Sequence, residues 1–564
     1  MYKKLLSFLI FLLPLSLFAQ ETTATEELSF GQQIDQSFQP VADAWESLVL
    51  YPIPIGDYNI PFILILLVTG ATFFTIYFSL PGVTKLPLAI RTVRGKYDDM
   101  EKTYKDPEHP DVIVDESKEG EVSHFQALAT AVSGTVGLGN IAGVAVAIAL
   151  GGPGATFWMI VCGILGMSTK FVECTLGVKY RDVEDDGTVH GGPMYYLSRG
   201  LGHDLKKGRL GQFLGGLFAI LCVGASFGGG NAFQSNQAAS QLSNLLGINF
   251  QTNGFWIGVG LAVLVAIVII GGIKRIATIT EKIVPFMAGV YVLASLIILG
   301  AHYDYVDDAF GLIIEGAFTP MAGLGGMVGV LIVGFQRAAF SNEAGAGSAA
   351  IAHSAVKTKF PASEGVVALL EPMIDTVIVC TMTALVIIFF NIDGGLGNVE
   401  SIFTYGGDGS GNVILKEGGA SIGGVELTTM AYDAVIPHFS YVLTIAIILF
   451  AFSTMISWSY YGLQSWKFLF GRSKTSDLTY KVLFIAFIII GASTTLNAVV
   501  KFSDAMILAL VFPNMIGCFF LFPKVKKELE KYTAAIKNMK ASTPIEEETV
   551  VEQSSGKVFG NEKE

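Results

Sequence analysis

Two short polar stretches sit inside long apolar runs. SGTVGLGNIAG, residues 133–143, sets Ser133, Thr135 and Asn140 among four glycines, and FSNEAGAGSAA, residues 340–350, sets Ser341, Asn342 and Glu343 beside Gly345 and Gly347. Glycine is about 1 kcal/mol worse than alanine inside a helix, so each stretch is weak as helix where an apolar run should be strongest. A helix interrupted in an apolar medium leaves N–H and C=O groups without partners, at several kcal/mol each, unless something polar takes them up. Free N–H groups at a half-helix start suit a carboxylate, and free carbonyls suit a hard cation. The GLGN core (Gly137, Leu138, Gly139, Asn140) can therefore hold the carboxylate of a small zwitterion, while the carbonyls of Ser133 and Val136 can face Na⁺.

A hard cation wants more oxygens than one break supplies. In FAFSTMISWSYYG, Ala451 and Thr454 are three apart and share a helix face, so one carbonyl and one hydroxyl could reach the same ion, with Ser453 and Ser457 in reserve. The plainer reading is that these hydroxyls bond their own backbone. GGGNAFQSNQ brings Asn231, Gln234, Ser235 and Asn236 onto consecutive turns as a polar wall. Gln234 can accept from an ammonium and donate to a carboxylate. Six charges also fall in apolar runs: Lys170, Glu173, Arg337, Glu343, Glu371 and Asp375. Each costs about 2.5–3.5 kcal/mol near a bilayer centre unless paired or wet. Lys170 with Glu173, and Arg337 with Glu371 or Asp375, are the pairings the spacing suggests. Glu343 could stabilise its break or carry a proton.

The elements that hold these residues are membrane helices. The 564-residue chain is 52% hydrophobic and only 15% charged, against about a quarter charged in a soluble protein. Its apolar runs suffice to cross roughly 30 Å of hydrocarbon. The net charge of −12 sits mostly in tails and loops and points to no nucleic-acid partner; the partner it requires is a lipid bilayer. The five cysteines lie in apolar runs without metal or disulfide spacing and read as small core residues. Residues 1–19 (Lys3, Lys4, then LLSFLIFLLPLSLFA) read as a signal peptide. The competing reading is a first membrane helix, which its shortness and the polar, acidic residues 20–59 disfavour.

Eleven further apolar segments follow, at about 60–80, 124–151, 154–178, 212–239, 254–272, 283–300, 322–352, 364–391, 441–465, 479–500 and 503–523. Lysine and arginine crowd alternate loops, such as 81–123 and 179–209, and are nearly absent from the others, which hold only Lys416 and Lys501. That alternation places the N-terminus outside and the C-terminus in the cytoplasm of a cell inner (plasma) membrane. With the helix at 60–80 set aside, the two weak stretches open blocks of five segments, 124–300 and 322–523, joined by an outer loop at 301–321. The blocks run in opposite directions. A pair of interrupted helices at matching positions of two inverted halves marks a secondary transporter's binding site. Glycine for close helix packing would explain the glycines but not Asn140, Asn342 and Glu343. Residues 524–564 are a cytoplasmic tail, a short basic helix and then an acidic, largely disordered end.

Other classes fit poorly. GLGNIAG spaces its glycines wrongly for a dinucleotide fingerprint and follows no strand. An intramembrane hydrolase would need a nucleophile with a base in reach, and the membrane histidines are few and lie near segment ends (His124, His353), so nothing indicates an enzyme. A channel would need rings of repeated filter residues and no inverted halves.

The blocks SHFQALATAVSGTVGLGNIAGVAVAI, GGPGATFWMIVCGILGMSTKF, GGPMYYL, GGIKRIATITEKIVPFMA, FSNEAGAGSA, DTVIVCTMTA and FSTMISWSYYG resemble the alanine/glycine:cation symporters, the sodium:alanine symporter family, over about residues 60–523. Ile160 and Thr156 depart from the family's usual tryptophan and aliphatic, away from the breaks. The resemblance implies an all-α polytopic membrane protein of the leucine-transporter-type 5+5 inverted-repeat fold, with one extra N-terminal helix and eleven transmembrane helices in all, self-sufficient as a monomer. It implies symport of alanine or glycine with Na⁺, or in some members H⁺, with no cofactor beyond the coupling ion. It also implies that Thr135, Gly137, Gly139, Asn140, Gln234, Phe340, Ser341, Asn342, Thr454 and Trp458 surround the substrate, and that Ser133, Val136, Ala451 and Thr454 hold Na⁺.

Overall fold

A helix starts where a side chain can take up its first free amides, and three helices here begin that way. Ser123 accepts from the Gln126 amide at 3.2 Å while Gln126 Oε1 accepts from the Ser123 amide at 3.1 Å, which closes a capping box on the helix His124–Thr135. Asn249 and Ser473 accept from amides three residues on and start the helices Phe250–Ile269 and Lys474–Ser493. Gly247, at φ +64°, ends the helix Phe233–Leu246 in the left-handed conformation that glycine adopts without strain. The computed structural model describes residues 30–56, 58–103, 120–319, 326–392, 401–406, 409 and 411–542. The signal peptide expected at 1–19 and the tail beyond 542 lie outside them.

In chain order the principal helices are α1 (Phe30–Val49), α2 (Phe62–Tyr77), α3 (His124–Thr135), α4 (Ala142–Gly151), α5 (Gly154–Lys179), α6 (Gly208–Phe227) and α7 (Phe233–Leu246). Next come α8 (Phe250–Ile269), α9 (Gly272–Ala301), α10 (Val306–Phe318), α11 (Gly326–Asn342), α12 (Ala349–His353) and α13 (Pro361–Val367). The last are α14 (Thr381–Asn391), α15 (Gly424–Asp433), α16 (Phe439–Phe470), α17 (Lys474–Ser493) and α18 (Leu496–Ser542). Strand is confined to short antiparallel pairings, among them a three-stranded sheet at 403–423.

This is a helical polytopic membrane protein. Among the described residues, eight spans are long and apolar enough to cross a bilayer, and α3 with α4, bent by 55° at their break, make a ninth. Of the eleven expected spans, the two left over are α2, at 16 residues, and the second interrupted helix, whose first half α11 has 17. Helices α8 and α9 turn Trp256, Leu264, Ile267, Phe286, Leu293 and Ile297 outward. Water would not tolerate so broad an apolar face, and lipid does. Around the interior, α3 packs on α9 and α16, α5 on α11, and α6 on α16.

Two features depart from a simple reading of the apolar runs. The last span does not stop near Pro523. Helix α18 continues unbroken to Ser542, and its Tyr532 packs against Tyr97 and Phe360 and bonds Thr92 at 3.0 Å. The basic stretch after 523 is thus docked on the segment before α3, not free on a membrane surface. The region 81–103 is itself built of short helices, Pro81–Thr84, Leu86–Val93 and Asp98–Thr103.

Candidate functional site

The first break forms because its amides find side chains instead of carbonyls one turn back. Gly137 N–H is taken by Asn140 Oδ1 at 3.0 Å, together with the Thr135 carbonyl at 2.8 Å. Leu138 N–H goes to Gln234 Oε1 at 3.0 Å, and Gln234 is braced from behind by the Gly229 carbonyl at 2.8 Å. Ser133 and Gly134, which an unbroken helix would bond to these amides, lose them. Val136, with ψ of 81°, ends α3, and one short turn over Leu138–Asn140 leads into α4. The amides expected to hold a carboxylate are thus held here by the chain's own amide oxygens, which occupy the positions a carboxylate would take.

The orphaned Ser133 carbonyl accepts Thr454 Oγ1 at 2.9 Å, and Ser133 Oγ donates to the Ser453 carbonyl at 2.8 Å. Ser133 and Thr454 are therefore bonded directly to each other, with Ala451 fully buried one turn away on α16. Thr454 reaches across to another helix, so the plainer reading fails for it, and it holds for Ser453, whose hydroxyl bonds the Phe450 carbonyl of its own helix at 3.0 Å. A Cβ on Gly137 would run into Thr454 Oγ1, so only glycine lets these elements meet.

The second break turns at Glu343, Gly345 and Gly347, with φ of +55°, +91° and +80°. Asn342 caps it by accepting from the Ala344 amide at 2.9 Å. The two breaks touch: Asn140 Nδ2 donates to Ser341 Oγ at 3.0 Å, and a Cβ on Gly139 would lie 3.4 Å from the Phe340 ring. Phe340 also packs edge-on to Phe233, at 5.1 Å between centroids. Trp458 donates its indole N–H to Glu343 Oε1 at 3.0 Å, and Ser348 Oγ donates to the other oxygen. Thr135, also expected around a substrate, bonds carbonyls of its own helix at 3.3 and 3.4 Å.

Some expected partnerships are corrected. Lys170 pairs with Glu371 at 3.0 Å, not with Glu173, which accepts from Asn514 at 2.6 Å. Arg337 pairs with Asp504, not with Glu371 or Asp375. The polar wall divides: Gln234 faces the break, while Asn231 bonds the Phe484 carbonyl and Asn236 those of Gly491 and Thr494, tying this stretch to α17 and the turn after it.

The residue missed was Asp375. It lies in a π-helical turn, Met373–Cys380, and accepts from Asn140 Nδ2 at 2.5 Å, Ser341 Oγ at 2.8 Å and Thr376 Oγ1 at 2.6 Å. One carboxylate thus joins both breaks. Thr383 and Thr428 cap the carbonyls of Asn140 and Ile141 at 2.8 and 3.1 Å. The signal was present in DTVIVCTMTA, which places Thr376 and Thr383 seven residues apart, two helical turns, with Asp375 beside the first of them. Outside the membrane, burial drives the Asp182 carboxyl upward, but hydrogen bonds and charge from Arg472 and Arg199 outweigh it, and the carboxyl stays below its usual range.

Interrupted membrane helices that meet among buried polar side chains are the construction of a secondary transporter. The sequence matches the sodium:alanine symporter family over residues 54–546, and the chain belongs to that family. Its members are transporters, not enzymes. It is 37% identical over 479 residues to the sodium/alanine symporter AgcS of Methanococcus maripaludis, a match covering 85% of this chain and 95% of that protein. It is 33% identical over 415 residues to the probable sodium/glutamine symporter GlnT of Bacillus subtilis, covering 73% and 79% respectively. Among solved structures, MhsT in complex with L-phenylalanine is similar at 15% identity and a TM-score of 0.46, over 72% of this chain and 99% of that one.

Proposed function

We propose that the protein imports a small neutral amino acid, alanine or glycine, together with Na⁺ across the inner membrane by alternating access. The N-terminus is outside and the C-terminus cytoplasmic, as the loop charges favour. Two five-helix halves of opposite orientation, α3–α9 and α11–α18, form the 5+5 leucine-transporter-type core, with α2 outside it as the extra helix, and one chain suffices as the functional unit.

The observation that carries this reading is the Thr454–Ser133 bond, which presents a hydroxyl and an orphaned carbonyl at the point where α16 meets the first break. In the ion-bound state Ser133, Val136, Ala451 and Thr454 supply oxygens to Na⁺. The substrate carboxylate takes the Gly137 and Leu138 amides over from Asn140 and Gln234. Gly137, Gly139, Asn140, Gln234, Phe340, Ser341, Asn342 and Trp458 then surround the substrate, with Thr135 entering only by rotating off its own helix. The Phe340 ring lies close against Gly139, which favours a substrate with a short side chain, alanine or glycine, over glutamine, although one relative is named for glutamine. H⁺ in place of Na⁺ is the second reading, favoured by the buried Glu343 in the other break.

Uptake of radiolabelled alanine into proteoliposomes under imposed Na⁺ or H⁺ gradients tests both. A Na⁺ gradient is expected to concentrate alanine. Uptake indifferent to both gradients overturns symport.

A further inference from the structure

The cytoplasmic ends of the two broken helices meet in one knot. The Glu121 amide donates to the Ala355 carbonyl and the Lys357 amide to the Val122 carbonyl, both at 2.8 Å. The chain entering α3 thus lies against the chain leaving α12. Glu101, on the short helix Asp98–Thr103, is the hub. Its Oε2 lies 3.2 Å from His124 Nε2 at the start of α3, accepts from Thr358 Oγ1, and accepts from Ser363 Oγ on α13 at 3.4 Å. Glu364, also on α13, holds the other ring nitrogen of His124. A cavity of about 310 Å³ opens beside the knot, lined among others by Asp98, Glu101, His124 and Lys357.

The helix Asp98–Thr103 has six residues, too few to hold its own place. What fixes it is a small second core at the cytoplasmic rim, where Tyr97, Phe360, Ala362, Tyr532 and Ile536 are buried together. Tyr532 and Ile536 stand on α18 beyond Pro523, past the length that a bilayer requires. Tyr532 meets the Phe360 ring at 5.4 Å and the Tyr97 ring at 6.3 Å between centroids, and bonds Thr92 at 3.0 Å. One turn earlier, Glu528 pairs with Lys179 at the end of α5. Every residue of α3 from Ala127 to Thr135 is buried, and so are those of both breaks. Inward release of a solute therefore needs α3 or α12 to move, and the knot joins both. A few buried side chains at a rim, backed by polar groups that water can serve, open at lower cost than the core in the membrane.

We propose that the extension of α18 beyond Pro523 is a latch that keeps the site shut from the cytoplasm. Docked on Thr92 and Tyr97, it holds Glu101 against His124 and Thr358, and this pins α3 to the segment after α12. Undocked, it lets the Asp98–Thr103 helix withdraw with Glu101. Helix α3 is then free to tilt at its break, where the chain is already unwound. Glu101 and Tyr532 are positioning residues, since they act through α3 and touch neither solute nor ion. The latch sets how often the site opens inward, not which solute it takes.

The latch takes its role from the symport reading, and the test keeps the two apart. Ala131→Cys places a thiol on α3, between the knot and the break, and Ala145→Cys places one on α4, the other half of the same broken helix. Both positions are 0% exposed, and the five native cysteines are buried. The full chain is purified in detergent and treated with a polar maleimide, with protein lacking the added cysteine as background. Tyr532→Ala is expected to raise labelling at Ala131→Cys about tenfold, a shift of about 1.4 kcal/mol in the latch equilibrium, and to leave Ala145→Cys unchanged. Tyr532→Phe keeps the ring and loses only the Thr92 bond, and is expected to raise it about threefold. In proteoliposomes the external alanine KM of Tyr532→Ala is expected to rise, because fewer molecules are open outward. Labelling at Ala131→Cys that does not change overturns the latch. Labelling raised equally at both positions also overturns it, because a protein loosened throughout exposes both halves. If Tyr532→Ala does not insert, Tyr532→Phe decides by the same two outcomes. A wild type without gradient-driven alanine uptake overturns the symport reading instead, and the labelling still shows whether α18 holds α3.

Discussion

Asn140 donates its side-chain amide to the Asp375 carboxylate at 2.5 Å, so the first broken helix is tied at its weakest point to a residue that also holds Ser341 of the second. A carboxylate this deep is stable only with its oxygens well bonded, and here three neutral donors serve it. Asp375→Ala leaves those donors unpaired at about 1–3 kcal/mol each. The variant is expected to melt earlier in detergent and to lose most alanine uptake, with Asp375→Asn in between because its amide keeps one acceptor. Equal melting of all three proteins would remove the structural role.

Thr454 is where the cation reading is most exposed. Thr454→Ala removes the hydroxyl that reaches the Ser133 carbonyl. The Na⁺ concentration for half-maximal uptake is expected to rise about tenfold, the equivalent of one hydrogen bond of about 1.4 kcal/mol. Thr454→Ser should restore it. A change confined to the alanine KM would move Thr454 from the cation to the substrate.

Glycines of the first break should differ sharply in tolerance. A Cβ at Gly137 meets Thr454 and Gln234, whereas one at Gly143, on α4, meets nothing within 4 Å. Gly137→Ala should abolish uptake, and Gly143→Ala should keep it and add up to about 1 kcal/mol of stability. Parallel uptake and melting assays of the two variants check this, and equal uptake would mean that the break is not where ligand binds.

The Lys170–Glu371 pair, 0% exposed on both sides, tests how a buried ion pair is held in this protein. Lys170→Met strands a buried carboxylate and should cost about 3–5 kcal/mol. Adding Glu371→Leu should return most of that, read as recovery of the melting temperature. A double variant no more stable than the single one would mean that the pair is not isolated energetically.

The sequence by itself determined what depends on composition and local spacing. Apolar runs long enough to cross a bilayer, loop charges that alternate and glycine with polar residues at two mid-span positions were all legible along the chain, because each follows from a few neighbouring residues. Ser133, Gly137, Asn140, Gln234 and Thr454 could be named as candidate site residues on the same grounds, and Ser341 only through the family resemblance. Which groups partner which was decided only by the tertiary structure. Lys170 sits three residues from Glu173 and bonds Glu371, 201 positions away, and Arg337 goes to Asp504 on the last helix. Asp375 looked like one more membrane charge until folding set it against both breaks. A buried charge takes the partner that packing brings within about 3 Å, and that distance is fixed by how helices cross, which local spacing does not contain.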